Sequence, residues 1–349
     1  MLINSLALQN FRSYTTKSFN FSPQINLIIG PNGSGKTNIL EAIYMLTGAP
    51  SFRAPKMSYL ISWSSNYTII STQTDNGQNF EIKIKTDQAS RKIFKSFHID
   101  GVIKTRKAFL GQIKAVIFQP DDIRLITGSP SRRRQYVDLF LSSLDWQYRS
   151  NLYQYQKALR QRNQLLQLIS LHKAKTEQLF YWDNSLIKSG IFIQQSRNTL
   201  FTNLNHFFQN HPNSDINPIS IIYKPIPISQ TLLAQRLNQD TVTGQTSLGP
   251  HRDDYFFKNS NLKSDSDLSA LGSRGQQRIA IFSLKIGEIN YIESRFAQKP
   301  ILLLDDIFSE LDPNHQQSLS NLCYNYQAFI TTSQHKDKHF LPNAKIYNL

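Results

Sequence analysis

Ile25-Asn26-Leu27-Ile28-Ile29-Gly30-Pro31-Asn32-Gly33-Ser34-Gly35-Lys36-Thr37 sets an apolar run directly before a glycine-rich turn. The run is short and almost continuous, as a strand buried on both faces of a parallel sheet is. Residues 30–37 fit G-x-x-x-x-G-K-T. Short patterns arise by chance, so context decides, and here the pattern leaves a strand and opens a helix. That helix is predicted over about Asn38 to Leu46, with Ile39, Leu40, Ile43 and Leu46 on one face and Gly48 as its C-cap. Glycines let successive N–H groups converge on one concavity, and the helix N-terminus adds partial positive charge. Lys36 would bring a cation to the β- and γ-phosphates, and the Thr37 hydroxyl a ligand for Mg²⁺. Gly30, Pro31, Asn32, Gly33, Ser34, Gly35, Lys36 and Thr37 are therefore the expected triphosphate cradle, with ATP and Mg²⁺ as cofactors.

The complementary element is Pro300-Ile301-Leu302-Leu303-Leu304-Asp305-Asp306. Acids at the end of a buried strand are common by themselves; beside a phosphate loop they complete a nucleotide site. Asp305 is expected to hold Mg²⁺, directly or through water, and Asp306 to act as general base on the attacking water. Ser273-Arg274-Gly275-Gln276-Gln277-Arg278 precedes that strand and has the form of the ABC signature. Its plain alternative is a serine-capped amphipathic helix, since Ile279, Phe282, Ile286 and Ile289 form an apolar face. As a signature, Ser273, Gly275 and Gln276 would meet a γ-phosphate. The lysine loop already surrounds the phosphates from one side, so this second cradle is expected to act across a dimer. Gln119 closes the predicted strand Ala115–Phe118, where a Q-loop glutamine would reach Mg²⁺ or the attacking water. Thr331-Thr332 ends the apolar run Ala328–Ile330, where many ABC ATPases carry a switch histidine. His335 lies nearby, without an assigned role.

Around these motifs the 349 residues divide by character. The first part is β-rich, with strands predicted at Tyr67–Gln73, Phe80–Lys85 and Ile93–Ile99. From Ser129-Pro130 one long helical stretch is predicted, with Val137, Phe140, Leu141, Leu144, Tyr148, Leu152, Tyr155, Leu159, Leu166 and Ile169 on one face. A second runs through Leu179, Trp182, Leu186, Ile193, Leu200 and Phe207, the two forming an antiparallel arm. Lys258 to Ser269 reads as a loop. The expected fold is α/β, an ABC-type P-loop ATPase head (1–125 and 224–349) with an inserted, mainly helical second lobe (126–223).

Lys and Arg outnumber Asp and Glu by 39 to 24, a net charge of +15, which favours a polyanionic partner. Arg132, Arg133, Arg134, Arg149, Lys157, Arg160 and Arg162 cluster on or beside the first long helix and are the expected DNA surface. Lys56, Arg91, Lys92, Lys95, Arg106 and Lys107 add to it from the first lobe. No aromatic-basic pattern of an OB-fold or RRM stands in the sequence, so base stacking is not read from it. Cys323 is the single cysteine, which excludes a disulfide framework. Met1 to Asn10 carries no basic n-region, and no apolar run reaches membrane length. A soluble, cytoplasmic protein without a membrane partner is expected.

Three further stretches resemble the RecF family: Leu8-Gln9-Asn10-Phe11-Arg12-Ser13-Tyr14 at the start, Pro120-Asp121-Asp122-Ile123 with Gly128-Ser129-Pro130 and Arg132-Arg133-Arg134, and Gly249-Pro250-His251-Arg252-Asp253-Asp254. The family usually has another residue at position 119, and Glu where Asp121 or Asp122 stands. The resemblance implies an SMC-like head with a short helical lobe, Arg12 near the nucleotide, DNA binding, ATP-dependent dimerisation and weak ATP hydrolysis used as a switch. It also implies RecO- and RecR-type partners, single-stranded or gapped DNA, and roles in recombinational repair, replication restart and the SOS response. It assigns no role to Gly249–Asp254. The alternatives are an ABC transporter-type ATPase subunit, which carries a shorter insertion between Gln119 and Ser273, and a small-molecule kinase, which leaves Ser273–Arg278 unexplained.

Overall fold

In a computed structural model of the full chain, the described residues are 1–87, 89–210, 219–259, 267–334 and 339–349, without the Glu310 side chain. His335 and most of the predicted loop at 258–269 lie outside them. In chain order the elements are β1 (Ser5–Phe11), β2 (Tyr14–Asn20), β3 (Ile25–Ile29), α1 (Lys36–Met45), β4 (Tyr67–Gln73), β5 (Asn79–Thr86), β6 (Ile93–Ile99), β7 (Val102–Lys104), α2 (Arg106–Phe109) and β8 (Ala115–Phe118). There follow α3 (Arg124–Thr127), α4 (Pro130–Leu144), α5 (Trp146–Ser170), α6 (Phe180–Gln209), β9 (Ile219–Lys224), α7 (Gln230–Thr243), β10 (Asp254–Asn259), α8 (Leu268–Leu271) and α9 (Arg274–Phe296). The chain closes with β11 (Ile301–Asp305), α10 (Pro313–Cys323), β12 (Ala328–Thr332) and β13 (Lys345–Asn348).

By packing, the chain forms two compact units, Met1–Asp122 with Glu288–Leu349, and Ile123–Gly287. The first holds two sheets. One is antiparallel, in the order β2-β1-β4-β5-β6-β7. Its strands alternate buried and exposed side chains, β5 with Phe80, Ile82 and Ile84 inward, as a sheet with one face in the core does. The other runs β13-β3-β12-β11-β8 and is parallel throughout. Every residue of β3, β8 and β12 is buried. Parallel strands covered on both faces need such continuous apolar runs, which is why Ile25–Ile29 and Ile301–Leu304 stand out in the sequence.

The second unit is a helical arm with a small sheet. The single long helix predicted from Ser129 is two helices. Asp145 takes an extended backbone, and its carboxylate accepts from the N–H groups of Gln147 at 2.7 Å and Tyr148 at 3.4 Å, capping α5. The apolar period continues across the break because both helices bury the same side of the lobe; the cap residue decides. α5 packs along α6, and α7 joins them. The return to the head, expected at 224, comes later by packing: β9 pairs antiparallel with β10, which holds 219–259 in the second unit.

Candidate functional site

Four parallel strands of the first unit end at one edge of their sheet. β3 leads into the loop at 30–35, β12 ends at Thr332, β11 at Asp305, and β8 leads to Gln119. Their register aligns Ile29 with Thr332, Thr331 with Asp305, and Leu304 with Phe118. The topology thus gathers segments from four distant parts of the sequence, in the place where parallel α/β sheets hold ligands.

The loop itself is built around missing side chains. Gly33 and Gly35 take φ of 86° and 100°, and a Cβ on Gly35 would come within 2.8 Å of the Tyr14 hydroxyl. α1 begins on Gly35 without a side-chain cap and without an acid in its first turn, so its N-terminal partial charge is uncompensated. The Ser34 hydroxyl is buried and has no hydrogen-bond partner. Lys36 is 7% exposed, and its Nζ donates to the carbonyls of Gly30 at 2.7 Å and Pro31 at 2.9 Å. Among the described residues no carboxylate pairs with it. A buried ammonium held only by neutral carbonyls, beside an uncapped helix and an orphaned hydroxyl, fits a polyphosphate.

On the facing side one carboxylate oxygen gathers two hydroxyls. Asp305 Oδ1 accepts from Thr37 Oγ1 at 2.8 Å and from Thr331 Oγ1 at 2.9 Å. Among the described residues there is no cluster of three or more His, Cys, Asp or Glu that could cage a metal. An Asp and a Thr with phosphate oxygens completing the shell is the way Mg²⁺ is commonly held, so this donor set fits it. Asp306 has a φ of 52°, and its N–H donates to the Thr331 carbonyl at 3.1 Å and hydroxyl at 3.0 Å. Thr331, which the sequence marked only by position, thus ties both acids. Gln119 is half-buried, and its N–H donates to Asp122 Oδ2 at 2.8 Å.

Arg12 is held from below. Its Nε and Nη2 donate to the two carboxylate oxygens of Glu41 at 2.9 and 2.6 Å, and Nη1 to the Tyr59 carbonyl at 2.9 Å. Glu41 is fully buried on α1, five positions after Lys36, and also accepts from the Ser51 hydroxyl. Sequence reading missed Glu41; an acid inside the apolar face Ile39–Leu46 was the available signal. It also missed Tyr14, whose hydroxyl is buried without a partner and pushed up to about 12 by burial.

The remaining predicted nucleotide-site residues lie in the second unit. Ser273 caps α9 through a reciprocal box: its hydroxyl accepts from the Gln276 N–H at 3.3 Å, and Gln276 Oε1 accepts from the Ser273 N–H at 2.9 Å. Ser273, Arg274 and Gly275 are exposed, and a Cβ on Gly275 would meet only Ser273 Oγ at 3.9 Å. The start of this helix is open to solvent.

Two of the predicted DNA-contacting arginines are buried. Arg162 is 0% exposed; its Nε donates to Asp183 at 2.7 Å and its Nη1 to Asp240 at 2.8 Å and Thr246 at 2.9 Å. Arg133 forms a bidentate pair with Asp254, at 2.7 and 2.8 Å. Arg134 donates to the Asp253 carbonyl at 2.8 Å. The helix face at these positions is lobe core, and charge counting along the chain does not see partners that arrive from remote segments. Lys157 and Arg160 are exposed, as are Lys56, Arg91, Lys92 and Lys107.

Those partners reveal what Gly249–Asp254 does. Asp253, buried, accepts from Arg197 at 2.9 Å, Gln194 at 2.8 Å, the Ile226 N–H at 2.8 Å and the Tyr223 hydroxyl. Arg197 also donates to Asp138 at 2.8 Å and to the Pro250 carbonyl at 2.8 Å. Gly249, at φ 111°, leaves room for the Tyr155 hydroxyl, which a Cβ would approach to 2.6 Å. His251 Nε2 lies 2.9 Å from the Thr246 carbonyl and Nδ1 2.6 Å from the Tyr155 hydroxyl. A carbonyl only accepts, so Nε2 carries the proton and Nδ1 accepts from Tyr155. Burial pulls the His251 pKa down to about 4. The segment is an ionic clasp on the lobe.

With this geometry in hand, the relatives are informative. Residues 2–344 match the RecF/RecN/SMC N terminal domain family. The chain is 35% identical to the DNA replication and repair protein RecF of Ruminiclostridium cellulolyticum, over 95% of this chain and 92% of the relative. Its fold is similar to solved structures of the recombination mediator protein RecF in the RecFOR pathway. For the form designated RecF-ATPrS the TM-score is 0.86 at 29% identity, covering 99% of this chain and 95% of that one. For the form with ATP it is 0.84 at 29% identity, with the same coverage. Parallel sheet, phosphate loop, acidic strand tip and relatives agree: the chain belongs to the RecF family, with the α/β fold of ABC-type, SMC-like ATPase heads.

Proposed function

We propose that this RecF-family chain is an ATP-operated DNA-binding switch of recombinational repair. The observation that carries the reading is Lys36: a buried cation with no carboxylate partner among the described residues, set in an uncapped glycine loop opposite Asp305. The solved RecF with ATP supports ATP as the ligand. Loop residues 30–37 would hold the phosphates, Arg12 would stand near them on its Glu41 support, and Thr37 and Asp305 would hold Mg²⁺. The metal would supply charge neutralisation at the phosphates. Asp306 would accept the proton of the attacking water, and Gln119 would orient that water. Ser273, Gly275 and Gln276 would meet the γ-phosphate of a second copy, so that ATP closes a homodimer and slow hydrolysis opens it.

The exposed lysines and arginines and the +15 charge favour DNA, single-stranded or gapped, held through its phosphates. RecO- and RecR-type partners, replication restart, the SOS response and a cytoplasmic site of action follow from the same reading. The transporter alternative is set aside: the chain belongs to the RecF family, and no helix among the described residues is long and apolar enough to cross a membrane.

Two measurements test this. Phosphate release is expected to be slow, raised by DNA and abolished in Lys36→Ala. Mass in solution is expected to double on adding ATP with Mg²⁺, and not to do so in Ser273→Arg. A rate indifferent to DNA and a mass indifferent to ATP in the parent would overturn the switch.

A further inference from the structure

The strap between α1 and β4 carries large apolar side chains into solvent. Trp63 is 104% exposed, Tyr59 54% and Met57 43%. Tryptophan is seldom left in water, because its face is among the largest apolar surfaces a chain has. The strap is not loose. The Arg12 N–H donates to the Leu60 carbonyl at 2.9 Å, and the Ser62 N–H to the Asn10 carbonyl at 2.8 Å. Phe11 bridges Ile61, and Trp63 sits in the turn closed by Ser65 N–H to the Ser62 carbonyl at 3.0 Å. Its base stands on α1: Ser51 bonds Glu41, the Arg53 guanidinium donates to Asn38 at 3.2 Å, and the Tyr59 carbonyl accepts from Arg12.

The strap's own residues carry charge of one sign. No Asp or Glu stands between Glu41 and Asp75, while Arg53 and Lys56 lie in the strap, both exposed. Aromatic faces on an anchored backbone, in a strap that carries cations and no acid of its own, match one chemistry: unpaired bases stacking on the rings with their phosphates on the cations. Duplex bases are already stacked and offer no free face. We propose that Trp63 and Tyr59 form a stacking platform for single-stranded DNA. The inference rests on the DNA-binding reading and adds to it a place and a kind of contact.

The test uses the full chain and an oligothymidylate probe. Tryptophan emission is expected to be quenched on binding in the parent and to be quenched less in Trp63→Phe, which keeps Trp146 and Trp182. Trp63→Ala with Tyr59→Ala should weaken single-strand affinity by about tenfold or more, the loss expected for one to two stacked bases. The salt dependence of binding should keep the parent's slope, because no phosphate contact is removed. Trp63→Phe should bind nearly as the parent, and duplex affinity should be unchanged in all variants. Equal single-strand affinity for parent and double variant would overturn the platform while leaving DNA binding in place. A parent that binds neither strand form at low salt would overturn both. Loss of ATP-dependent self-association with DNA binding intact would assign the patch to a second copy of the chain and overturn the proposal.

Discussion

Lys36 in the first unit and three arginines in the second are buried in opposite ways. In the first, Lys36 rests on two neutral carbonyls and no described carboxylate meets it. In the second, Arg133, Arg162 and Arg197 each have one or two aspartates within 2.9 Å. Desolvating a charge is costly unless a partner restores the interaction. The second unit restores it internally, and its charges are structural. At Lys36 no described carboxylate restores it, which is what the proposed phosphate contact requires. Lys114, also buried in the first unit, rests on the Gly111 carbonyl and Gln298 Oε1, so it is the uncapped glycine loop around Lys36, and not neutral partners alone, that sets Lys36 apart.

Removing a cation from each unit should sharpen that contrast most. Arg197→Ala strands Asp138 and Asp253, and is expected to cost about 3–5 kcal/mol of folding stability in urea or heat. Lys36→Ala strands no described acid and is expected to stay within about 1 kcal/mol of the parent. Equal losses from the two would dissolve the distinction.

Next in size is a pH effect. His251 titrates near 4 in the folded chain against 6.5 ordinarily. Between those values the unfolded chain binds the proton and the folded chain does not, so stability rises with pH through that window. The contribution is complete above about 6.5 and is lost as pH falls toward 4, amounting to about 3 kcal/mol at most. Unfolding measured at pH 7 and pH 5 should show a smaller difference in His251→Asn than in the parent.

Smaller still, Glu41→Gln removes the charge beneath Arg12 but keeps the shape of the side chain. It is expected to cost about 1–3 kcal/mol of stability, since it weakens a charge-assisted pair without deleting the acceptor. An unchanged melting temperature would mean that Arg12 does not depend on this support.

The two regions also differ in how far they can be read from the chain. The proposed phosphate cradle is contiguous, eight residues with fixed spacing between a strand and a helix, so local pattern picks out the loop. Asp305 is legible because its strand is a continuous apolar run. The Asp305–Thr331 hydrogen bond is not, since only strand order brings β11 beside β12. The clasp lies further from view: Arg133 and Asp254 are 121 residues apart, and along the sequence Arg132-Arg133-Arg134 looks like a basic patch. The break at Asp145 escaped for a different reason. Apolar periodicity reports which face is buried, and that face is shared by α4 and α5, whereas the end of a helix is set by one cap residue.

The most direct test of the account is a calorimetric titration of ATP with Mg²⁺ into the parent and into Lys36→Ala, each first shown to unfold at the same midpoint. The parent is expected to bind, and the variant to bind about 100-fold more weakly, the loss of a buried charge-assisted contact to phosphate. Equal affinity in two equally stable proteins would contradict it, because the unpartnered cation would then have no phosphate to meet.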